Sequence, residues 1–322
     1  MIKNIVGFIL SLIVFLYGMH LMSSSLDILA NDKLRNILYK STSNKYLGVL
    51  IGTAITAVIH SSSATTVVLI GLLNSHLITL NQATWIILGA NIGTTVTGLL
   101  IALDLGQSAI YFCVIGLILM LFKNKLMYIG RVIMALGLIF LAMETMAVAL
   151  IPLQSSSYFI ELFAKLNNPI TAIIVGTIFT AIIQSSTASV GVLQTIYQKG
   201  LINFTMATNV IYGQNIGTCI TALLASINGD PNSKRLTIIH ILINIIGTII
   251  FFMASYFIPF IDFIHSLTPN HMMQIAYMHT FFNIISTIIL LPFDNMLIHL
   301  AYKILPLSRK ETYNAGKYSR LN

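Results

Sequence analysis

One stretch of this chain occurs twice. Displaced by 124 residues, Gly52-Thr53 falls on Gly176-Thr177, and His60-Ser61-Ser62-Ser63-Ala64 falls on Gln184-Ser185-Ser186-Thr187-Ala188. With no gap, the same offset lays Gly89, Asn91-Ile92-Gly93-Thr94 and Thr97 on Gly213, Asn215-Ile216-Gly217-Thr218 and Thr221. From position 52 to 100, 23 of 49 positions are identical. Met19, His20 and Met22 meet Met143, Glu144 and Met146, so an upstream apolar run belongs to the repeat as well. A duplication of this extent predicts two like folding units. We place them at 1–126 and 127–292, with 293–322 a polar tail expected in the cytoplasm.

The solvent for these units follows from the apolar runs. Residues 5–22, 127–150, 236–259 and 272–291 are near the length that a hydrocarbon core of about 30 Å requires. Only 8 % of the 322 residues are charged and 57 % are hydrophobic. A soluble domain, with about 25 % charged residues, could not cover such a core. The run at 5–22 lacks a small-residue cleavage site and has an internal counterpart, so it reads as a retained span rather than a signal peptide. The net charge of +8 lies in the gaps between apolar runs, a topology signal rather than a nucleic-acid surface. Cys113 and Cys219 lie in apolar context and imply no disulfide.

Each half reads as an apolar run, a polar stretch, and a region split by Ser and Thr (47–74; 170–198). A Gly-interrupted helix (83–103; 207–227) and a further apolar run follow. The polar stretches are expected to hold short amphipathic helices at best, with 155–165 a weak candidate. The two arms of each split region, about 14 residues long, reach only about 20 Å. This predicts a re-entrant hairpin rather than a full span. Non-helical backbone at that depth must be buried in protein or line a wet cavity. Seven crossings would then invert the second half relative to the first. That arrangement puts fourteen of the seventeen Lys and Arg on one face, leaving Lys3, Lys165 and Lys199 on the other. The crowded face is expected to be cytoplasmic, with the N-terminus outside and the C-terminus inside. The fold class is an all-α polytopic membrane protein: two inverted-topology repeats with broken helices and two re-entrant hairpins.

Inverted repeats with discontinuous helices bind solutes near the midplane. At a hairpin tip, free carbonyls suit a cation and free N–H groups attract an anion. Ser61, Ser62 and Ser63 in one copy, and Ser185, Ser186 and Thr187 in the other, carry hydroxyls that can replace an anion's hydration shell or part of a cation's. Asn91 and Asn215 are placed with them, since Gly93 and Gly217 would let the helix open beside each. Thr65, Thr66, Thr94, Thr95, Ser189 and Thr218 are candidate Na⁺ ligands or supports. No Lys or Arg lies in these segments, so an anion's charge must be balanced by helix ends and bound cations, a physical reason for symport. His60 and the intramembrane Glu144 are candidate modulators. His240 with Asn244, and His279 with Asn283, share a spacing of four and are expected to bond between helices. Trp85 and the many Tyr and Phe residues are expected to serve as interface anchors and in packing. Ser61 and Ser185 have no nearby acid–base relay in sequence beyond the adjacent His60, so the chain is not expected to be an enzyme.

These paired motifs resemble the sodium-dependent phosphate cotransporter family, the bacterial relatives of the animal type II transporters. The family's marks are a duplicated Gln-Ser-Ser-Ser/Thr-Ala, each copy followed by Gly-x-Asn-Ile-Gly-Thr. The resemblance covers residues 5–292, with His279 and Asn283 matching a further element. It implies inorganic phosphate moved inward with Na⁺ as the coupling ion. It also implies that both motif copies converge on the ligands, with Ser61, Ser62, Ser63, Gln184, Ser185, Ser186 and Thr187 lining the phosphate and sodium sites. His60 departs from the family's Gln. The tail is too short for the phosphate-signalling-regulator-like domain that many bacterial relatives carry. Partners are phosphate and membrane lipid, no nucleic acid, and a homodimer is compatible with the design. A Na⁺-coupled carrier of another oxyanion, a phosphate exporter and an ion channel are the alternatives.

Overall fold

The structure, a computed structural model, describes residues 2–40, 44–103, 105–153 and 168–307. Among them every regular element is helical. The first, α1 (Ile2–Lys40), is one continuous helix, running on through the polar stretch after residue 22 for which short amphipathic helices at best were expected. Residues 23–40 contain neither Gly nor Pro, so nothing stops the helix where its hydrophobicity ends. The amphipathic candidate at 155–165 lies outside the described residues.

The two Ser/Thr regions fold alike. In the first, α2 (Lys45–Ile59) is capped by Asn44 and ends at His60, which has φ 57°. After Ser61, α3 (Ser62–Asn74) begins, and the Ser61 side chain accepts from Ala64 N. In the second, α7 (Pro169–Ile183) ends at Gln184 with φ 59°, and α8 (Ser186–Gln198) starts behind the Ser185 cap. A left-handed residue followed by a serine cap ends one helix and starts the next within two residues. Thr56 and Thr65 then stand 3.0 Å apart, Oγ1 to Oγ1. Nine residues of unbroken helix would separate them by about 13 Å, so the chain doubles back sharply.

Each first arm packs on the long helix that follows it: α2 on α4 (Leu80–Ile101), and α7 on α9 (Phe204–Ser226). The seams are glycine. A Cβ on Gly89 would stand 1.9 Å from the Val49 carbonyl oxygen, and one on Gly213 at 1.9 Å from that of Ile173. Gly93 and Gly217 repeat this at 2.4 Å from the Thr53 and Thr177 carbonyls. Here the structure corrects the sequence reading: α4 and α9 are unbroken, and their glycines serve close helix packing, not backbone opening. Without a hydrophobic drive between helices in lipid, such approach is what van der Waals packing needs.

Between these units, α5 (Ala109–Met120) and α6 (Lys125–Leu150) pack together, and α6 also lies along α1. The chain closes with α10 (Pro231–Ala254), α11 (Phe260–Ser266), α12 (His271–Leu290) and α13 (Asp294–Ile304). Arg235 is fully buried and ties α10 to the end of α13: Nε donates to the Leu305 carbonyl and Nη2 to that of Pro306, each at 3.0 Å. Its guanidinium also sits 4.3 Å from the centre of the Tyr302 ring. Trp85 packs against Gly48 of α2, and its Nε1 donates to buried Asp294 at 2.6 Å.

Among the described residues five helices are long and apolar enough to span a membrane, against seven crossings expected. With 12 residues, α5 is short, about 18 Å, and α9 has the length but too many polar residues. Large apolar side chains such as Leu10, Leu117 and Ile182 are more than half exposed, as on a surface facing lipid. The chain is an all-α, multi-pass membrane protein.

Candidate functional site

The αL–Ser break that ends α2 and the one that ends α7 open onto the same cavity, about 280 Å³ in volume. From the first copy it is lined by His60, Ser61, Ser62 and Ser63; from the second by Gln184, Ser185, Ser186 and Thr187. Leu16, Met19, His20 and Ser23 of α1 form a further wall. Hydroxyl-bearing sequence alone would not do this. The returning arms α3 and α8 each pack against both α4 and α9, and this interleaving brings the two breaks together.

Both kinds of helix end meet at the cavity: α3 and α8 begin there, offering positive dipole ends, and α2 and α7 end there, offering negative ones. Ser61 and Ser185 spend their acceptors on Ala64 N (3.1 Å) and Ala188 N (3.2 Å), which fixes the first turn of each helix. The Ser185 and Thr187 hydroxyls share a bond at 3.2 Å. Ser63 Oγ donates across the repeats to Thr221 Oγ1 at 3.2 Å. His60 Nδ1 bonds Thr97 Oγ1 at 2.7 Å, tying the tip to α4. Thr97 and Thr221 are repeat partners that the sequence reading aligned but left out of the site; their signal was that alignment.

Other expected residues are elsewhere. Asn91 does not line the cavity: it bonds His240 Nε2 (3.3 Å) through Oδ1 and donates to Asn244 Oδ1 (3.4 Å). That bears out the interhelical bonding expected of His240 and Asn244. Asn283, by contrast, donates to the carbonyl of His279 in its own helix. Asn215 donates to the Ile211 carbonyl at 2.9 Å. Thr94, Thr95 and Thr218 bond carbonyls three or four residues back. Thr65 is engaged with Thr56 and the Ser61 carbonyl, and Thr66 is buried. Glu144 lines a separate cavity.

Ser189 differs. Its Oγ is fully buried without a partner, as are Thr180 Oγ1 and Gln214 Oε1. Gln214 Nε2 donates to the Ser189 carbonyl, which places those two side by side. In the first half the equivalents of Thr180 and Ser189 are Thr56 and Thr65, which bond each other. Buried oxygens left unpaired are costly, so the second half retains an unmet demand for a donor or cation. Among the described residues no three His, Cys, Asp or Glu stand together.

Known proteins share this pattern. The profile of the family described as "Na+/Pi-cotransporter" matches residues 14–148 and 154–266. An uncharacterized Bacillus subtilis protein, YqeW, is 28 % identical over 94 % of this chain and 98 % of its own length. The putative inorganic phosphate export protein YjbB of Salmonella typhimurium is 27 % identical over 90 % of this chain. This chain spans about half (53 %) of the length of that relative. Human sodium-dependent phosphate transport protein 2B is 33 % identical over 30 % of this chain and 15 % of its own. No solved structure matches.

Proposed function

The chain belongs to the Na+/Pi-cotransporter family, and from that premise we propose that it carries inorganic phosphate through the cavity where its two motif copies meet. The convergence of those copies is the observation that carries this reading. Two helix N-termini and a ring of neutral hydroxyls offer donors to a tetrahedral oxyanion without a fixed positive charge that would hold it too tightly to leave. The volume, about nine times that of a liquid water, admits a partly hydrated anion. In this reading α2–α3 and α7–α8 are re-entrant hairpins entering from opposite faces. The N-terminus is outside and the C-terminus in the cytoplasm.

Direction separates two versions. An inward Na⁺ gradient drives symport inward, so Na⁺ symport and export exclude each other under that gradient. We take export first, because the relative matching 90 % of this chain carries that name. Na⁺-driven uptake, the direction the motif resemblance implied, is second. It is supported by the family description, the animal relatives and the unpaired oxygens of Thr180, Ser189 and Gln214, a neutral set that suits Na⁺. Radiolabelled phosphate flux in proteoliposomes, with Na⁺ imposed on either side, tests both. Flux that follows a phosphate gradient whatever the Na⁺ gradient supports export; uphill movement with Na⁺ supports symport. Saturation separates either from a channel, and the absence of phosphate flux removes the proposal.

A further inference from the structure

A second cavity, about 380 Å³, stands at the far end of α8 from the motif tips, about 20 Å away along that 13-residue helix. One wall comes from α6: Phe140, Met143, Glu144 and Ala147. Subtracting the repeat offset gives Leu16, Met19, His20 and Ser23, the four α1 residues that wall the motif cavity. The same face of the same repeated helix therefore lines one cavity in each half. Neither reading of the motifs required this, because residues 140–147 carry no motif. The second cavity does not reach either Ser/Thr tip; its other walls include Gln107 and Ser108 before α5, and Gln198 and Lys199 beyond α8.

Repeats of inverted topology bind at a fixed site and expose it by moving one bundle against the other, so related cavities of opposite halves belong to opposite faces. Only one of this pair is continuous with the tips here. The repeat-related positions differ in charge, with His20 at one mouth and Glu144 at the other. Both side chains are exposed within the described chain. We propose that the Glu144 cavity is the second mouth of the solute path, and that Glu144 weakens the capture of oxyanions that Lys199, in the same wall, would otherwise favour from that side. This rests on the carrier reading above. Glu144 is a specificity-determining residue in this scheme, acting on the anion through space before it reaches the hydroxyl site.

Two measurements test it. Ser23→Cys and Ala147→Cys, with Met19→Cys and Met143→Cys as a second pair, are labelled with a membrane-impermeant thiol reagent from each face of sealed vesicles. Protein with Cys113 and Cys219 replaced by Ala supplies the background, or the unsubstituted chain if that variant does not fold. The members of each pair should react from opposite faces; reaction of both from one face overturns the assignment. Glu144→Gln should then lower the KM for phosphate about two- to fivefold at the face from which Ala147→Cys reacts, a range set by one charge about 8 Å from a mono- or divalent anion in water. KM at the other face should not change. An equal change at both faces, or none, overturns the role given to Glu144. Absence of wild-type phosphate flux would count against the proposed substrate, while the labelling would still decide the mouths.

Discussion

Gly89→Ala probes the joint that aims the first Ser/Thr tip. The new Cβ would lie 1.9 Å from the Val49 carbonyl oxygen and 2.8 Å from Thr53 N, both backbone atoms that cannot rotate away. To reach an ordinary contact α2 and α4 must part by about 1.5 Å, and overpacking of this kind costs typically about 1–3 kcal/mol. Set against it is the better helix propensity of Ala, worth about 1 kcal/mol. The net expectation is a loss of up to about 2 kcal/mol, and a tip moved relative to its partner. Gly71→Ala is the control: it lies in α3, nothing stands within 4 Å of its Cβ, and the same propensity gain is unopposed. Thermal unfolding in one detergent compares them. Gly89→Ala should melt below wild type, Gly71→Ala at or above it, and Gly213→Ala should match Gly89→Ala, because its clash is also 1.9 Å. Equal melting of Gly89→Ala and Gly71→Ala would refute the seam.

Further outcomes follow from single contacts. Arg235→Met should free the end of α13 by leaving the Leu305 and Pro306 carbonyls unpaired, at about 1–3 kcal/mol for each buried group, read as faster limited proteolysis near residue 305. Trp85→Phe removes the donor to buried Asp294 and should lower the melting temperature, while Trp85→Phe with Asp294→Asn should recover part of the loss. Ser61→Ala and Ser185→Ala each delete a helix cap worth about 0.5–2 kcal/mol and should weaken phosphate binding by similar factors. Ser189→Ala removes an unpartnered hydroxyl; if Na⁺ sits there it should raise the Na⁺ concentration for half-maximal stabilisation, and otherwise leave it unchanged.

Much of this was legible from the chain because the repeat is exact in register. Ser61 and Ser185 align, and both prove to be caps beside a left-handed residue. What sequence could not provide is convergence: that His60 and Gln184 line one cavity depends on α3 and α8 interleaving between α4 and α9. The misreading of Gly93 and Gly217 has a plain cause. Glycine can loosen a helix or let another approach, and sequence does not show the neighbour, here the Thr53 and Thr177 carbonyls. Asn91 was read toward the solute for the same reason, since its partners His240 and Asn244 come from a helix more than a hundred residues away. The continuation of α1 was missed because hydrophobicity and helicity end at different places in it.

In the carrier proposed above, both motif copies serve one phosphate site. Equilibrium binding of radiolabelled phosphate to the purified protein tests it most directly, comparing wild type with Ser62→Ala, Ser186→Ala and the double variant, all verified as folded by melting. The prediction is one saturable site per chain, weakened about tenfold or more by either substitution and lost in the double, as for donors that act on one ligand. Two independent sites, each sensitive to only one of the substitutions, would contradict it.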